Sequence, residues 1–369
     1  MTNTFIFEDL VDVKIDNRGK TPPLVEAGYP LLEVNAISKD RLYPDLTKVS
    51  KFVDQETYDS WFRQHLTKDD VLFTTVGTIA ESAIIPDKSD ATVAQNILGF
   101  RFKPDLINPL FALYLMRSRW FLNQVSGRTI ETVQKSIKWT DMRKIKITLP
   151  DLETQKKIAN ILGTIDEKIE LNRQMNETLE QMGQALFRHY FIDNPEAEKW
   201  ESGSFSNVAD VLTGKGSTKS QLSDSGTVPL YGANGVMGTS EDYLYDEPLV
   251  ITGRVGTLGK VRAVTGKAWF SDNVLIMKPN VESFGFIYHL AQTFDYISMN
   301  RGSTQPLVTQ TDLKNRKIRI PDSKTLETFE HKFSGLFEAQ ENNTQQIQTL
   351  TTLRDTLLPR LINGKVKIT

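Results

Sequence analysis

Cysteine is absent from this 369-residue chain, and histidine is scarce, with four in the whole sequence. The lack of cysteine excludes disulfide bonds and thiolate zinc sites. No run of about 18 apolar residues occurs, so the sequence predicts no transmembrane helix. The first residues have neither a basic flank nor an apolar run typical of a secretory signal, and we therefore expect a cytoplasmic protein.

An excess of either charge is also missing, because 44 Lys and Arg residues face 46 Asp and Glu residues. A protein that coats nucleic acid non-specifically carries a large positive charge. Any polyanion must therefore be bound by local basic patches. The hydrophobic content of 39% is enough for two ordinary cores, and the length predicts two or more domains.

An internal repeat is the main signal in the sequence. DMRKIKITLPD at 141–151 returns without a gap as DLKNRKIRIPD at 312–322. Three earlier pairs follow in the same order: YPLLEVNAI with VPLYGANGV, VLFTTVGTI with VITGRVGTL, and VAQNILGFRFKP with FSDNVLIMKP. The asparagines that align are Asn35 with Asn234 and Asn96 with Asn273. Two diverged copies of one domain are therefore predicted.

Each copy contains short β-rich runs broken by Gly, Pro and Asn turns, together with one modest helix, which indicates a mixed α/β globule. After Pro150 and Pro321 the apolar period becomes that of a long helix. Two series with a seven-residue spacing are predicted to form the seam of an antiparallel coiled coil. They are Ile158, Ile165, Asn172, Leu179 and Leu186, and Phe329, Leu336, Asn343, Leu350 and Leu357.

Additional apolar residues are expected to widen each stripe. They are Ile161, Ile169, Met175 and Met182 on the first helix, and Phe333, Ile347 and Leu353 on the second. Asn172 and Asn343 lie in the middle of the two series, where a buried asparagine fixes register at a cost in stability. In antiparallel helices they are candidates for mutual neighbours. The alternative is two solvated asparagines in a polar helix.

The predicted fold class is α+β, with two α/β domains separated by a pair of long antiparallel coiled-coil helices in a pseudo-two-fold repeat. The predicted boundaries are 1–150 for the first domain, 151–192 for the first long helix, 193–203 for a linker, 204–321 for the second domain, and 322–369 for the second long helix and tail.

Catalytic patterns are nearly absent, and each near-match fails on its context. GRVGTLGK at 253–260 lacks the spacing and the Ser or Thr of a phosphate-binding loop. The four histidines are scattered without metal-ligand spacing. Pro150-Asp151 with Asp166-Glu167-Lys168 satisfies a nuclease pattern, but its second part falls in a heptad helix and has no counterpart in the other copy. We expect no catalysis by this chain alone.

The repeat resembles the specificity subunit of type I restriction-modification systems over essentially the whole chain. The resemblance is carried by KIKITLPDLETQKKIANILGTIDEKIELNRQMNETLEQM and by the closing LRDTLLPRLINGKVKI. The second strand-to-helix boundary, DSKTLETFEHKF, departs from the family pattern because it lacks the usual Glu-Gln pair. The resemblance implies two target recognition domains that read a bipartite, asymmetric DNA sequence.

The resemblance also implies partners. Such a subunit binds two methyltransferase subunits that use S-adenosylmethionine to methylate adenine, and the full complex adds motor-nuclease subunits driven by ATP. No cofactor is expected in this chain; S-adenosylmethionine, ATP and Mg are expected on the partner subunits. The alternatives are a stand-alone DNA-binding module, a structural tether without nucleic acid, and a cryptic nuclease.

Basic and polar loops are the predicted DNA face, because Lys and Arg contact phosphates or guanine edges and Gln or Asn can pair with adenine. The alternative for any single residue is a solvated turn. The candidates are Arg18, Lys20, Thr21, Thr75, Arg128, Thr129, Lys135 and Lys138 in the first half, and Lys215, Ser217, Thr218, Lys219, Arg254, Arg301, Ser303, Thr304 and Gln305 in the second.

The helices are also expected to set the distance between half-sites. One heptad adds roughly 10 Å of helix, which corresponds to about three base pairs of duplex. Equal insertions of one heptad after Leu179 and after Leu350 are therefore predicted to widen the preferred spacer.

Overall fold

The computed structural model describes residues 3–17, 19–129, 135–216, 221–302 and 306–364. The chain divides into two compact units. Unit 1 comprises Met1–Gln174 with Asn343–Thr369, and unit 2 comprises Met175–Asn342. Each unit thus contains one mixed α/β globule and a part of both long helices. No helix among the described residues is long and apolar enough to cross a membrane.

Unit 1 begins with a strand and ends its globule with another. Its strands are β1 (Asn3–Ile6), β2 (Val11–Ile15), β3 (Tyr29–Leu32), β4 (Phe52–Val53), β5 (Val71–Thr74), β6 (Ser82–Ile84), β7 (Thr92–Val93), β8 (Ile97–Phe102) and β9 (Lys146–Leu149). Its helices are α1 (Phe7–Leu10), α2 (Gln55–Trp61), α3 (Pro109–Arg117), α4 (Arg119–Ser126) and α5 (Trp139–Met142), followed by the first long helix, α6 (Leu152–Phe187).

Unit 2 repeats this plan. Its strands are β10 (Glu201–Ser204), β11 (Ala209–Thr213), β12 (Val228–Gly232), β13 (Gly235–Ser240), β14 (Tyr245–Asp246), β15 (Leu249–Gly253), β16 (Arg262–Val264), β17 (Lys267–Phe270), β18 (Val274–Pro279) and β19 (Lys317–Ile320). Its helices are α7 (Phe284–Gln292) and α8 (Gln310–Lys314), followed by the second long helix, α9 (Ser323–Ile362).

The sheets show the duplication directly. The strand order β2-β8-β5-β6 in unit 1 corresponds to β11-β18-β15-β16 in unit 2. A second sheet in each unit contains one parallel pair, β3 with β7 and β12 with β17. The first and last strands of each globule pair with each other, β1 with β9 and β10 with β19, and we call each of these pairs a clasp. The predicted mixed α/β architecture with two repeated domains and two long helices is confirmed.

The repeated Pro-Asp step ends a strand and starts a long helix. Asp151 Oδ1 accepts a hydrogen bond from the Thr154 amide at 2.9 Å, and Asp322 Oδ1 accepts one from the Thr325 amide at 2.9 Å. These bonds satisfy amide donors that have no partner within a helix. Hydrogen bonds from the Thr325 hydroxyl and amide lower the pKa of the Asp322 carboxyl, and those from the Thr154 amide and hydroxyl lower the pKa of the Asp151 carboxyl. The repeated Pro-Asp steps are therefore equivalent N-caps of the two long helices.

The larger core cluster of each unit joins its first sheet to the long helices, and a smaller cluster joins its two sheets. In unit 1, α3 follows the N-cap Asn108 and is buried from Phe111 to Arg117. It approaches α6 closely, because a Cβ on Gly163 would lie 2.7 Å from Leu110 Cδ2. In unit 2, α7 packs in the same way, and a Cβ on Gly285 would lie 2.1 Å from Phe333 Cδ1.

The ten predicted seam residues all lie on α6 and α9, and each is buried or partly buried. The widened stripe differs from the expectation. Four of the additional residues are exposed: Ile161 at 37%, Met175 at 50%, Met182 at 48% and Leu353 at 45%. Each of them lies three residues after a seam position. The residues four after a seam position are buried instead, as Leu162, Ile169 and Phe333 show.

The helical period explains this correction. With 3.6 residues per turn, a residue four positions along is rotated by about 40° from its seam residue, whereas one three positions along is rotated by about 60° in the other direction. The buried stripe therefore widens towards the fourth position only. Sequence hydrophobicity could not choose the side, because apolar residues occur at both.

The long helices are antiparallel where they pair within a unit. In unit 1, Asp166 contacts Arg354 at 2.8 Å, and Asn172 Nδ2 donates to Gln346 Oε1 at 3.2 Å. Asn172 and Asn343 are both buried, with 0% and 7% exposure. Asn172 thus bonds Gln346, which lies about one turn from Asn343 on the same helix.

In unit 2, Asn176 and Gln340 exchange side-chain to backbone hydrogen bonds of 3.4 and 3.1 Å. Leu179 therefore lies at about the level of Gln340, whereas Leu350 belongs to unit 1. An insertion in α9 at the level of Leu179 would therefore lie beside Gln340, whereas the insertion after Leu350 lies at a different level, in unit 1. Equal spacing along two repeats gives symmetry-related positions, which face each other in an antiparallel pair only at its centre.

The segment predicted as a linker, 193–203, contains a 3-10 helix, Pro195–Lys199, and the start of β10. Asn194 caps the 3-10 helix by accepting a hydrogen bond from the Glu196 amide at 3.0 Å. Trp200 is 9% exposed and belongs to the core of unit 2.

A pair of neighbouring substitutions tests the direction of the buried stripe. Leu162→Ala should lower the free energy of unfolding by about 2–5 kcal/mol, because it leaves a cavity at a fully buried position. Ile161→Ala, one residue earlier, should cost about 1 kcal/mol or less. Urea unfolding followed by circular dichroism measures both. Equal losses of unfolding free energy would contradict the conclusion that the buried stripe includes Leu162, four residues after Ile158, and not Ile161.

Candidate nucleic-acid interface

In unit 1, three distant segments are joined at the carboxyl end of β5. The Thr75 amide donates to the Asn96 carbonyl at 2.8 Å, and the Ile137 amide donates to the Thr75 carbonyl at 3.0 Å. The Gly77 amide donates to the Lys135 carbonyl at 3.3 Å. We call this arrangement of Thr75–Thr78, Asn96 and Lys135–Ile137 the first junction.

Unit 2 contains the same arrangement. The Arg254 amide donates to the Asn273 carbonyl at 3.0 Å, and the Val308 amide donates to the Arg254 carbonyl at 2.9 Å. The Gly256 amide donates to the Pro306 carbonyl at 3.0 Å. These residues, Arg254–Thr257, Asn273 and Pro306–Val308, form the second junction. The repeat therefore preserves a backbone frame, and each copy places its own side chains on that frame.

Left-handed backbone conformations shape the turn in each junction. Gly77 has a φ of 80° and Gly256 a φ of 77°. No atom lies within 4 Å of a Cβ built on Gly77, so glycine is needed there for its backbone conformation and not for space. Asn96 also has a positive φ, 71°, which asparagine tolerates better than most residues.

A cleft rich in amide side chains adjoins the first junction. Two adjacent cavities of about 430 and 600 Å³ share Val34, Asn35 and Asn96. The polar residues of this amide cleft include Asn17, Thr21, Glu33, Asn35, Lys51, Gln95 and Asn96. Side-chain amides offer a donor and an acceptor side by side, which matches the N6 and N7 groups of adenine. The cleft therefore has the chemistry of a base-reading surface.

Part of the amide cleft is fixed by internal hydrogen bonds. Asn17 Nδ2 donates to the Lys20 carbonyl at 3.1 Å, and Gln95 Nε2 donates to Thr21 Oγ1 at 3.3 Å. Asn35 Nδ2 donates to the Lys48 carbonyl at 3.3 Å. Asn35 is nevertheless exposed where it lines the cleft.

The predicted DNA-binding residues of unit 1 fall into two groups. Thr21 lines the amide cleft next to Lys20, and Thr75 and Lys135 belong to the first junction. The remaining described residues lie outside it. Lys138 is the exposed N-cap residue of α5, Arg128 Nη1 donates to the Gln124 carbonyl at 2.8 Å, and Thr129 Oγ1 donates to the Ser126 carbonyl at 2.8 Å. Arg18 lies outside the described residues.

In unit 2, Lys215 and Arg301 flank the second junction. The Lys215 amide donates to the Phe270 carbonyl at 3.0 Å, and the Arg301 amide donates to the Leu307 carbonyl at 3.0 Å. The Arg301 guanidinium forms an ion pair with Asp312. Burial opposes ionisation of Asp312, but hydrogen bonds from Thr309 and the charge of Arg301 lower its pKa overall. Ser217, Thr218, Lys219, Ser303, Thr304 and Gln305 lie outside the described residues.

The basic-loop criterion missed the amide side chains. Asn35 and Asn96 in unit 1, and Asn234 and Asn273 in unit 2, are all exposed. Their alignment in the repeat was visible in the sequence, and it is the signal that could have placed them in the site. The other members of the cleft, such as Asn17 and Lys51, are brought there only by the tertiary fold.

The residues of the nuclease pattern have structural partners. Asp151 caps α6, and Asp166 is 1% exposed and accepts hydrogen bonds from Tyr114 and Arg354. GRVGTLGK forms the turn of the second junction. Within the described ranges, no group of three or more metal-ligating side chains occurs.

Comparison with known proteins identifies the architecture. A family model described as the type I restriction modification DNA specificity domain matches residues 8–181 and again 197–352. The chain belongs to this family. It is a DNA-recognition component of a type I restriction-modification system and is not itself catalytic.

Individual relatives agree over most of their length. The type I restriction enzyme MjaIX specificity subunit of Methanocaldococcus jannaschii is 25% identical over 344 residues, which cover 82% of this chain and 78% of that protein. The HindI specificity subunit of Haemophilus influenzae is 23% identical over 326 residues, covering 62% and 71%. The crystal structure of the S subunit from M. genitalium shares the fold, with a TM-score of 0.61, 17% identity, and coverage of 100% and 97%.

A charge substitution at the first junction tests the interface. Lys135→Ala should weaken DNA binding a few-fold for all sequences alike and reduce the slope of log affinity against log salt by about 1, as expected for one lost phosphate contact. Fluorescence anisotropy at several salt concentrations measures both. Lys68→Ala is the matched control, because Lys68 is exposed and precedes β5 at the end opposite to Thr75. Equal effects of the two substitutions would contradict the location of the interface.

Proposed function

We propose that this subunit reads a bipartite, asymmetric DNA target, with one half-site for each unit. The observation that carries the proposal is the pair of junctions. They share one set of backbone hydrogen bonds, yet they present Thr75 in one copy and Arg254 in the other. A common frame with different side chains suits two readers that bind duplex DNA in the same way but recognise different bases.

The exposed apolar residues of the long helices support a role in docking partner subunits. In unit 1, Ile161 and Leu171 are 37% and 54% exposed, and in unit 2, Met175 and Met182 are 50% and 48% exposed. All four lie on α6, outside the seam. Exposed apolar side chains on a helix are suited to packing against a further helix. We propose that two methyltransferase subunits dock on the long helices, one for each half-site.

The chemistry then belongs to the partners. We propose that S-adenosylmethionine is bound by the methyltransferase subunits and that ATP and Mg act on motor-nuclease subunits, where these are present. The complex would work in the cytoplasm, where it meets double-stranded DNA. A stand-alone DNA-binding protein or a structural tether would not retain methyltransferase subunits in a pull-down, which separates both alternatives from this proposal.

Exchange of one globule tests the two-reader proposal. Residues 204–321 should be replaced by the corresponding segment of a family member with a different second half-site. The methylated sequence should then change in one half-site and stay constant in the other, because each half-site is read by one unit. Methylome sequencing of cells that carry the chimera gives the result. Simultaneous change of both half-sites would refute the proposal, and the reciprocal exchange of residues 1–150 serves as the control.

Matched insertions test whether the helices set the half-site spacing. Seven residues inserted after Thr178 and seven after Ala339 lie at one level of the antiparallel pair in unit 2, so the seam and the Asn176–Gln340 contact can be kept. The preferred spacer should grow by about three base pairs, since one heptad adds roughly 10 Å. An active variant with an unchanged spacer would rule out the helices as the determinant.

A further inference from the structure

Position 254 and its counterpart, position 75, occupy the same place in the two junctions. Each amide donates to the carbonyl of an aligned asparagine, Asn96 for Thr75 and Asn273 for Arg254, at 2.8 and 3.0 Å. Each carbonyl accepts a hydrogen bond from the third segment, at 3.0 and 2.9 Å. The two Cα atoms are therefore held by equivalent bonds on both sides, so that the side chain is the main difference between them.

Within the described residues, the guanidinium of Arg254 has neither a hydrogen-bond nor an ion-pair partner. Its Nε is buried and makes no hydrogen bond, and the described part of the chain provides no ion pair for this side chain. Other arginine side chains that are partly or fully buried do have partners, as Arg101 has in Asp70 at 2.9 Å and Arg354 in Asp166 at 2.8 Å. A buried donor without a partner costs free energy, and such groups in native structures call for a functional or structural reason.

Two exposed amides lie next to Arg254. Asn273 is joined to it by the junction, and the β12–β13 hairpin places Asn234 nearby. The hairpin packs tightly, because a Cβ on Gly253 would lie 2.7 Å from the Ala233 carbonyl oxygen. Arg262 Nη2 also donates to the Asn234 carbonyl at 2.8 Å and holds the turn of the hairpin. The backbone of Arg254 is thus fixed close to two polar side chains.

We propose that Arg254 reads a guanine in the half-site recognised by unit 2 and that Thr75 makes this position of unit 1 indifferent to guanine. Arginine can donate two parallel hydrogen bonds to O6 and N7 of guanine in the major groove, and the threonine side chain is too short for this. A half-buried side chain on a fixed backbone suits base recognition better than contact with a phosphate, for which exposed lysines such as Lys215 are available. This inference rests on the proposed function and names one of its determinants.

The test uses the subunit in complex with its methyltransferase subunits and a library of randomised targets. Arg254→Thr installs the side chain found at the equivalent position of unit 1. One guanine of the second half-site should become degenerate, with discrimination at that base pair falling about 5- to 150-fold, the range expected for a lost bidentate contact. Arg254→Lys keeps the charge but not the bidentate geometry, and it should also lose the guanine preference.

The first half-site provides the internal control, because its unchanged recognition in the same molecules shows that the variant folds and assembles. Retention of every base preference in Arg254→Thr, with weaker binding to all sequences and a salt slope reduced by about 1, would indicate a phosphate contact and overturn the inference. Failure of the unsubstituted complex to bind DNA sequence-specifically would overturn the proposed function itself, which is a separate result.

Discussion

One buried carboxylate, that of Asp166 on α6, organises the first unit. It accepts hydrogen bonds of 2.8 Å from the Tyr114 hydroxyl on α3 and from Arg354 on α9, and it lies 3.5 Å from Arg117. Arg117 in turn donates to the Ser82 carbonyl of β6 at 2.7 Å. Burial and the charge of Asp166 raise the pKa of Tyr114, so its hydroxyl keeps the proton that it donates. Since an unpaired buried charge is strongly destabilising, the sheet and both helices of this unit must keep one arrangement.

In the second unit, aromatic rings occupy the region that corresponds to the Asp166 cluster. Phe337 stands 171 residues after Asp166, and Gly183 stands 171 residues before Arg354. Phe333 packs against Phe329 and Phe337 with ring centroids 5.6 and 5.8 Å apart. Charge pairs thus help to hold the first globule on its helices, and stacked aromatic rings help to hold the second, together with hydrogen bonds from Ser283 to Glu330 and from Tyr288 to Glu180. A globule placed on the wrong half of the helices would leave Asp166 without Tyr114 and Arg117, so the divergence of these contacts helps to define which globule belongs where.

The sequence allowed the architecture to be predicted because both of its signals are local. Heptad spacing and the repeated Pro-Asp step depend on neighbouring residues only, and the caps at Asp151 and Asp322 follow directly from them. The candidate site was harder to predict from the sequence, because its residues come from distant parts of the chain. Loop charge led to Lys135 and Arg254, which do belong to the junctions, but also to Arg128, which instead bonds Gln124 in the preceding helix α4. The amide cleft needs several loops to meet, and no spacing along one strand or helix encodes that meeting.

The clasps have a consequence for how such a protein can evolve. The chain enters and leaves each globule through two antiparallel strands that pair over four residues. The pairing runs from Asn3 with Leu149 to Ile6 with Lys146 in unit 1, and from Glu201 with Ile320 to Ser204 with Lys317 in unit 2. The two ends of each globule therefore lie side by side, at a boundary defined mainly by backbone hydrogen bonds, which almost any side chain permits. Recombination at these strands could replace an entire reader while the helices stay intact. A lineage could acquire a new target in one genetic event, without passing through intermediates of poor specificity.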